Sequence, residues 1–245
     1  MKCNTMKLSP VLTLFLLLGF VGVQAADESQ PRHTEESYEP KDGSQGYRYL
    51  LHLPEGAKNG KKKWPLLVFL HGRGERGDDL NRVKAHGPPK FAEKKDMSFI
   101  VVSPQCPKSD LWWKPKIVAG LVDEVIAKQA VDKDRVYLTG LSQGGFGTWA
   151  TAAKYPKKFA AIAPVCGGGK AEWAKKYGNL PIWNFHGDKD FVVSPRLSRT
   201  MVEAIKKTGG NVTYTEYPGV GHNSWNKAYA NPKLYEWFLQ HKRLP

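Results

Sequence analysis

After residue 45 the chain alternates between two textures of apolar and polar positions. Short runs rich in Val, Ile, Leu, Tyr and Phe fall at 47–53, 65–70, 98–103, 135–139, 160–165, 181–185 and 212–217. Their length and composition predict strands. Between them lie longer stretches with helical spacing, clearest at 117–130, 145–155, 196–208 and 232–241. Strand, helix, strand, helix is the pattern of an α/β protein with a mostly parallel central sheet and helices on both faces. The near-continuous apolarity of 66–70 and 162–165 fits strands buried on both sides. No internal repeat and no second domain interrupts the pattern. The link from Cys166 to Pro181 has room for a small helix around 171–177 and no more, so no large cap domain is expected.

The first residues read as an address. Lys2 and Lys7 precede an almost purely apolar run over 11–23, and Val23-Gln24-Ala25 supplies small residues where a signal peptidase reads. The run is shorter than the roughly 20 residues that span a bilayer, and Asp27 and Glu28 follow closely. The expectation is a signal peptide over 1–25 cleaved near Ala25, a secreted or periplasmic protein, and no stable membrane span. Residues 26–45, rich in Glu, Ser, Lys and Pro, read as a loose polar leader. Residues 46–245 then form a single domain, long enough to bury roughly 70–75% of the surface it exposes when unfolded.

Charge narrows the picture. Losing Lys2 and Lys7 and no acid lowers the net charge of +14 to +12. The lysines are scattered, as in Lys61-Lys62-Lys63 and Lys206-Lys207, without a basic arm or an aromatic ladder. That is a solvated basic face, and no nucleic-acid partner is expected. Cys106 and Cys166 each follow a strand-like run, and an exported compartment permits a bridge. Sequence spacing does not choose between a disulfide and two buried thiols.

The chemistry is carried by Gly140-Leu141-Ser142-Gln143-Gly144. This G-x-S-x-G follows the predicted strand 135–139 and precedes the predicted helix 145–155. A serine on that sharp turn takes strained backbone angles and presents its hydroxyl above the sheet, and the glycines avoid collision with neighbouring elements. The helix start also brings N–H groups and a positive dipole end to the place where an oxyanion forms. A serine nucleophile needs a base. Of seven histidines, His71, His186 and His222 stand at strand ends. His222, in a glycine-flanked loop after the last predicted strand, alone keeps the chain order Ser…Asp…His. Asp188 and Asp190 compete for the acid that orients the base, and composition does not decide between them. The loop Leu70-His71-Gly72-Arg73-Gly74 ends an earlier strand, which points to the backbone N–H groups of Arg73 and Gln143 as the oxyanion hole. His71 is read as a prop for that loop.

Leu-His-Gly-Arg-Gly-Glu-Arg-Gly at 70–77, Ser-Pro-Gln-Cys-Pro at 103–107, Gly-Leu-Ser-Gln-Gly-Gly at 140–145, His-Gly-Asp-Lys-Asp at 186–190 and Gly-His-Asn-Ser-Trp at 221–225 occur in this order. Together they resemble the phospholipase/carboxylesterase branch of the α/β hydrolases. The likeness extends to the secreted polyhydroxybutyrate depolymerase-like, feruloyl esterase and acetylxylan esterase relatives, and covers residues 46 to 240. The resemblance implies the α/β-hydrolase fold and assigns the acid to Asp190, the second aspartate of its motif. One departure is Ser194, which intervenes between Val193 and Pro195 where many relatives have Val-Pro.

Trp112, Trp113 and Trp225 are candidates for a substrate wall, the alternative being that they pack the rim of the core. The implied activity is a serine-dependent carboxylic ester hydrolase working through an acyl-enzyme. Its expected partner is an ester with a short or aromatic acyl group, displayed on something large such as a polysaccharide. No metal and no cofactor is implied. The competing readings are a serine peptidase of prolyl oligopeptidase-like type, which the lack of a propeller domain disfavours, and a non-catalytic binding protein on the same fold.

Overall fold

Eight strands form one sheet in the order β1-β2-β4-β3-β5-β6-β7-β8. The structure is a computed structural model that describes residues 1–2, 33–60, 62–94 and 97–243. The export segment expected over 1–25 therefore lies outside the described residues, apart from Met1 and Lys2.

The strands are β1 (Thr34–Tyr38), β2 (Tyr47–His52), β3 (Trp64–Leu70), β4 (Ile100–Pro104), β5 (Val131–Leu141), β6 (Ala161–Val165), β7 (Ile182–Gly187) and β8 (Val212–Tyr217). The helices are α1 (Gly87–Ala92), α2 (Pro115–Lys128), α3 (Gln143–Lys154), α4 (Ala174–Tyr177), α5 (Pro195–Lys207), α6 (Trp225–Ala230) and α7 (Pro232–Gln240). β1 and β2 pair antiparallel, as do β2 and β4, and every other pair is parallel.

Alternation along the strands separates two cores. Leu66, Val68, Leu70, Val136 and Leu138 point to one face, where Val118 and Leu121 of α2, Trp149 of α3 and Met201 and Ile205 of α5 cover them. Leu67, Phe69, Tyr137, Ala163 and Phe185 point to the other, under α1, Tyr229 of α6 and Phe238 of α7. β3 is buried along its whole length, as its unbroken apolar sequence predicts.

The polar stretch expected to be a loose leader in fact contributes β1. Four of its five residues are exposed, so no apolar alternation announced it. What fixes it is Tyr38 packing on the first core, close enough to Gly120 that an added Cβ there would lie 2.0 Å from the Tyr38 hydroxyl. β5 is also longer than expected, because its first half carries the polar Asp132-Lys133-Asp134 with those residues half-buried or exposed. The link after β6 holds only a 3-10 turn at Ala171–Trp173 and the four-residue α4. No helix among the described residues is long and apolar enough to cross a membrane.

Candidate active site

The turn between β5 and α3 brings Ser142 to the carboxyl end of the sheet. Ser142 has φ 52° and ψ −118°, a left-handed conformation that side chains rarely adopt. Its neighbours must be glycine. A Cβ at Gly140 would lie 2.4 Å from the Gly144 carbonyl oxygen, and one at Gly144 only 1.9 Å from that of Leu70. The helix begins at Gln143, directly after the serine, rather than at the expected residue 145.

His222 follows β8 and opens a 3-10 turn, where its Nε2 lies 2.9 Å from the Ser142 Oγ. Its Nδ1 lies 2.7 Å from the Asp190 Oδ2. Asp190 follows β7, and its other oxygen accepts the backbone N–H of Val192 and of Val193, each at 2.9 Å. Burial works to raise the pKa of this carboxyl. The hydrogen bonds from His222, Val193 and Val192 outweigh burial and hold its pKa below the ordinary carboxylate value. Asp188 instead accepts the backbone N–H of Gly219 at 2.7 Å and clamps the turn after β8. Of the two competing aspartates, Asp190 is the one joined to His222.

Gly72 lies against the same turn, where a Cβ would be 2.8 Å from a Leu141 methyl. The backbone of Gly72 and Arg73 thereby comes alongside Ser142 and Gln143, and all four line one cavity of about 600 Å³. Gln143 also donates from its side chain to the Leu111 carbonyl, tying the loop before α2 to the same spot. His71 does prop this loop: its Nδ1 is 2.6 Å from the Gly72 carbonyl, and its Nε2 accepts the Cys106 N–H at 3.0 Å. Burial lowers its pKa to about 4, so the ring is neutral.

The three tryptophans part ways. Trp112 is exposed and lines the cavity, with its ring edge-on to Phe146 at 5.6 Å. Trp225 lines it too, edge-on to His222 at 5.2 Å. Trp113 departs from the expectation. It is buried between Tyr47 and His71, donates to the His71 carbonyl at 3.2 Å, and leaves no face to the cavity of Ser142.

Sequence reasoning missed Phe146, His86, Leu111, Val192 and Val193, which also line the cavity. Of these, Leu111 and Val192 are strongly exposed. Apolar residues in loops carry no periodic signal, so only the folded chain reveals the rim. Cys106 and Cys166 are both buried free thiols. Burial raises each to about 12, so both stay protonated.

A serine hydroxyl bonded to a histidine, itself bonded to an ionised carboxylate, can lose its proton to the ring as it attacks a carbonyl. Comparison with known proteins agrees with that geometry. Residues 115–233 match the family described as Phospholipase/Carboxylesterase. The bifunctional acetylxylan esterase/xylanase XynS20E of Neocallimastix patriciarum is 27% identical over 187 residues, covering 71% of this chain and 26% of the relative. Carboxylesterase SOBER1 of Arabidopsis thaliana is 28% identical over 138 residues, covering 54% of this chain and 60% of the relative. A crystal structure of a thermostable esterase superposes with a TM-score of 0.75 at 31% identity, over 86% of this chain and 64% of that one. The chain thus spans less than two thirds of the length of each of these relatives. By its ordered motifs, its fold and these matches, the chain has the α/β-hydrolase fold and is similar, over residues 115–233, to the phospholipase/carboxylesterase family.

Proposed function

We propose that the chain hydrolyses carboxylic esters through an acyl-enzyme on Ser142. The observation that carries the reading is the hydrogen-bonded chain from Ser142 through His222 to Asp190 at the floor of an open cavity. Ser142 Oγ attacks the ester carbonyl while its proton passes to His222 Nε2. Asp190 holds the ring in the tautomer that leaves Nε2 free, and stabilises the imidazolium that forms. The backbone N–H groups of Arg73 and Gln143 receive the developing oxyanion, a role in which losing one donor typically costs about 2.7–4 kcal/mol. The C–O bond breaks, the alcohol leaves with the proton from His222, and the acyl group stays on Ser142. A water then gives a proton to His222 and attacks the acyl carbon. The acid departs and the proton returns to Ser142.

The substrates proposed are short-chain or aromatic acyl esters. The short link between β6 and β7 supports this, since it holds one small helix and leaves the cavity mouth uncovered from that side. Trp112 and Trp225 offer aromatic walls for a planar acyl group. The acetylxylan esterase activity in the name of the Neocallimastix relative supports esters displayed on a polysaccharide. Action outside the cytoplasm rests on the export segment read over 1–25. The test is a screen of purified protein on p-nitrophenyl esters of increasing length, methyl ferulate, acetylated xylan, a lysophospholipid and a peptide anilide. Turnover of acetyl or feruloyl esters with none of the anilide is the expected result. Turnover of the anilide alone overturns the reading.

A further inference from the structure

We propose that His186 is a positioning residue for Asp190, its Nε2–H being the donor that keeps the carboxylate ionised and aimed at His222. The inference rests on the ester hydrolase reading above for its kinetic consequences, and on hydrogen-bond geometry for its substance. His186 is the penultimate residue of β7, four residues before Asp190, and is fully buried. Its Nε2 lies 3.1 Å from the Asp190 Oδ2 and 3.0 Å from the Val193 carbonyl oxygen. Both partners are acceptors beside an ionised carboxylate, so a bare ring nitrogen there would face only lone pairs. Nε2 therefore carries the proton. On the other side Nδ1 is 2.7 Å from the Ser198 Oγ in α5, and that oxygen lies 3.0 Å from the Gly167 carbonyl. Burial lowers the pKa of His186 and favours the neutral ring. The single Ser198 hydroxyl proton is shared between Nδ1 and the Gly167 carbonyl, and Nε2, flanked by two acceptors, keeps the ring proton that points at Asp190.

The carboxylate of Asp190 then accepts four donors: two backbone N–H groups on Oδ1, and the rings of His222 and His186 on Oδ2. Two imidazoles share one oxygen, and that sharing is the functional point. The His186 N–H lowers the cost of the negative charge. It also draws electron density away from the bond to His222, so His222 does not hold its proton too tightly after Ser142 has given it up.

Other charged and titratable groups surround the pair. They are His222, the Cys166 thiol within 4.8 Å of Asp190 and His222, and the ion pair of Glu216 on β8 with Arg199 on α5. Glu216 stands in register with His186 across β7 and β8. Cys166 stays protonated and Glu216 is paired with Arg199 at 2.6 Å.

His186→Phe keeps an aromatic ring and removes the donor, whereas His186→Gln restores an amide N–H near the Nε2 position. Each is assayed for kcat and KM on p-nitrophenyl acetate from pH 4.5 to 8.5. The imidazole C–H signals of His222 are titrated by NMR on the same proteins, a readout that needs no turnover. His186→Phe is expected to lower kcat about tenfold with little change in KM. It should also raise both the acidic limb of kcat/KM and the His222 titration by about half a pH unit. His186→Gln should recover most of each effect. If the Phe variant does not fold, His186→Leu removes the same donor and should shift both curves the same way. A uniform loss of activity with the acidic limb and the His222 titration unmoved overturns the proposal, as does a Gln variant no better than Phe. Absence of ester turnover with the His222 shift intact overturns the hydrolase reading and leaves the role of His186 standing.

Discussion

Replacing Asp190 by Asn puts the roles at the site under direct strain. The perturbation is nearly isosteric, yet everything around Asp190 is a donor: the N–H groups of Val192 and Val193 on one oxygen, the rings of His222 and His186 on the other. The asparagine carbonyl keeps the two amides at 2.9 Å, which together outnumber any alternative. Its NH2 group is then forced into the place of Oδ2, facing His222 Nδ1. That nitrogen must become an acceptor, so the proton of the neutral ring moves to Nε2. An Nε2–H 2.9 Å from Ser142 cannot take the serine proton. The expected cost is about ten-thousandfold in kcat, or roughly 5.5 kcal/mol of barrier. Asp188→Asn keeps an acceptor for Gly219 and is expected to change kcat by less than about threefold, its effect being confined to about 1 kcal/mol of stability. The assay is steady-state hydrolysis of p-nitrophenyl acetate by both variants, with circular dichroism to establish folding. Asp190→Asn within tenfold of the parent, or a larger loss from Asp188→Asn, refutes the reasoning.

Three further outcomes follow from the same structure. Because Leu111 and Val192 at the cavity mouth stay exposed, burial of roughly 0.8 kcal/mol per methylene is gained only for the first carbons. On a series of p-nitrophenyl esters kcat/KM should therefore fall beyond about six to eight carbons. It should show no jump at the micellar limit, and interfacial activation would contradict this. Trp112→Ala should lower kcat/KM for methyl ferulate about tenfold more than for p-nitrophenyl acetate. Trp113→Ala should instead cost about 3–5 kcal/mol of stability in urea melts, and the reverse pattern would return Trp113 to the substrate wall. His71 has a folded pKa of about 4 against an ordinary 6.5, so below pH 6.5 the unfolded chain binds a proton that the folded one refuses. Stability falls from pH 6.5 down to about 4 by roughly 3 kcal/mol on this account. His33, also lowered to about 4 by burial, contributes in the same direction, so His71→Asn should reduce but not abolish the slope in denaturation curves at pH 7 and 4.5, and an unchanged slope would clear His71 of the effect.

Much of this was legible in the residues. β3 and β6 are continuous apolar runs because both their faces are covered, and that texture is visible without coordinates. The turn at Ser142 was legible because its glycines answer steric demands that no other residue meets. The choice between Asp188 and Asp190 was not. Both sit in the same few residues, and only the direction of the chain after β7 sends one to Gly219 and the other to His222. β1 escaped because an edge strand with four exposed residues has no apolar period to read. Trp112 and Trp113 are adjacent and chemically identical, yet the backbone turns one outward and packs the other on His71, an outcome set by tertiary contacts alone. His186 was set aside because it precedes the acid in the chain, and its role lies in a bond to Oδ2 that spacing does not display.

The central claim is that Ser142 forms a covalent acyl-enzyme, and covalent labelling tests it most directly. The purified protein is treated with a p-nitrophenyl alkylphosphonate, then examined by intact mass spectrometry and peptide mapping, beside Ser142→Ala. The account predicts one phosphonyl group per chain, carried on Ser142, absent from the Ala variant, and gained in parallel with the loss of esterase activity. Full esterase activity after labelling, or a label on any residue other than Ser142, would contradict it.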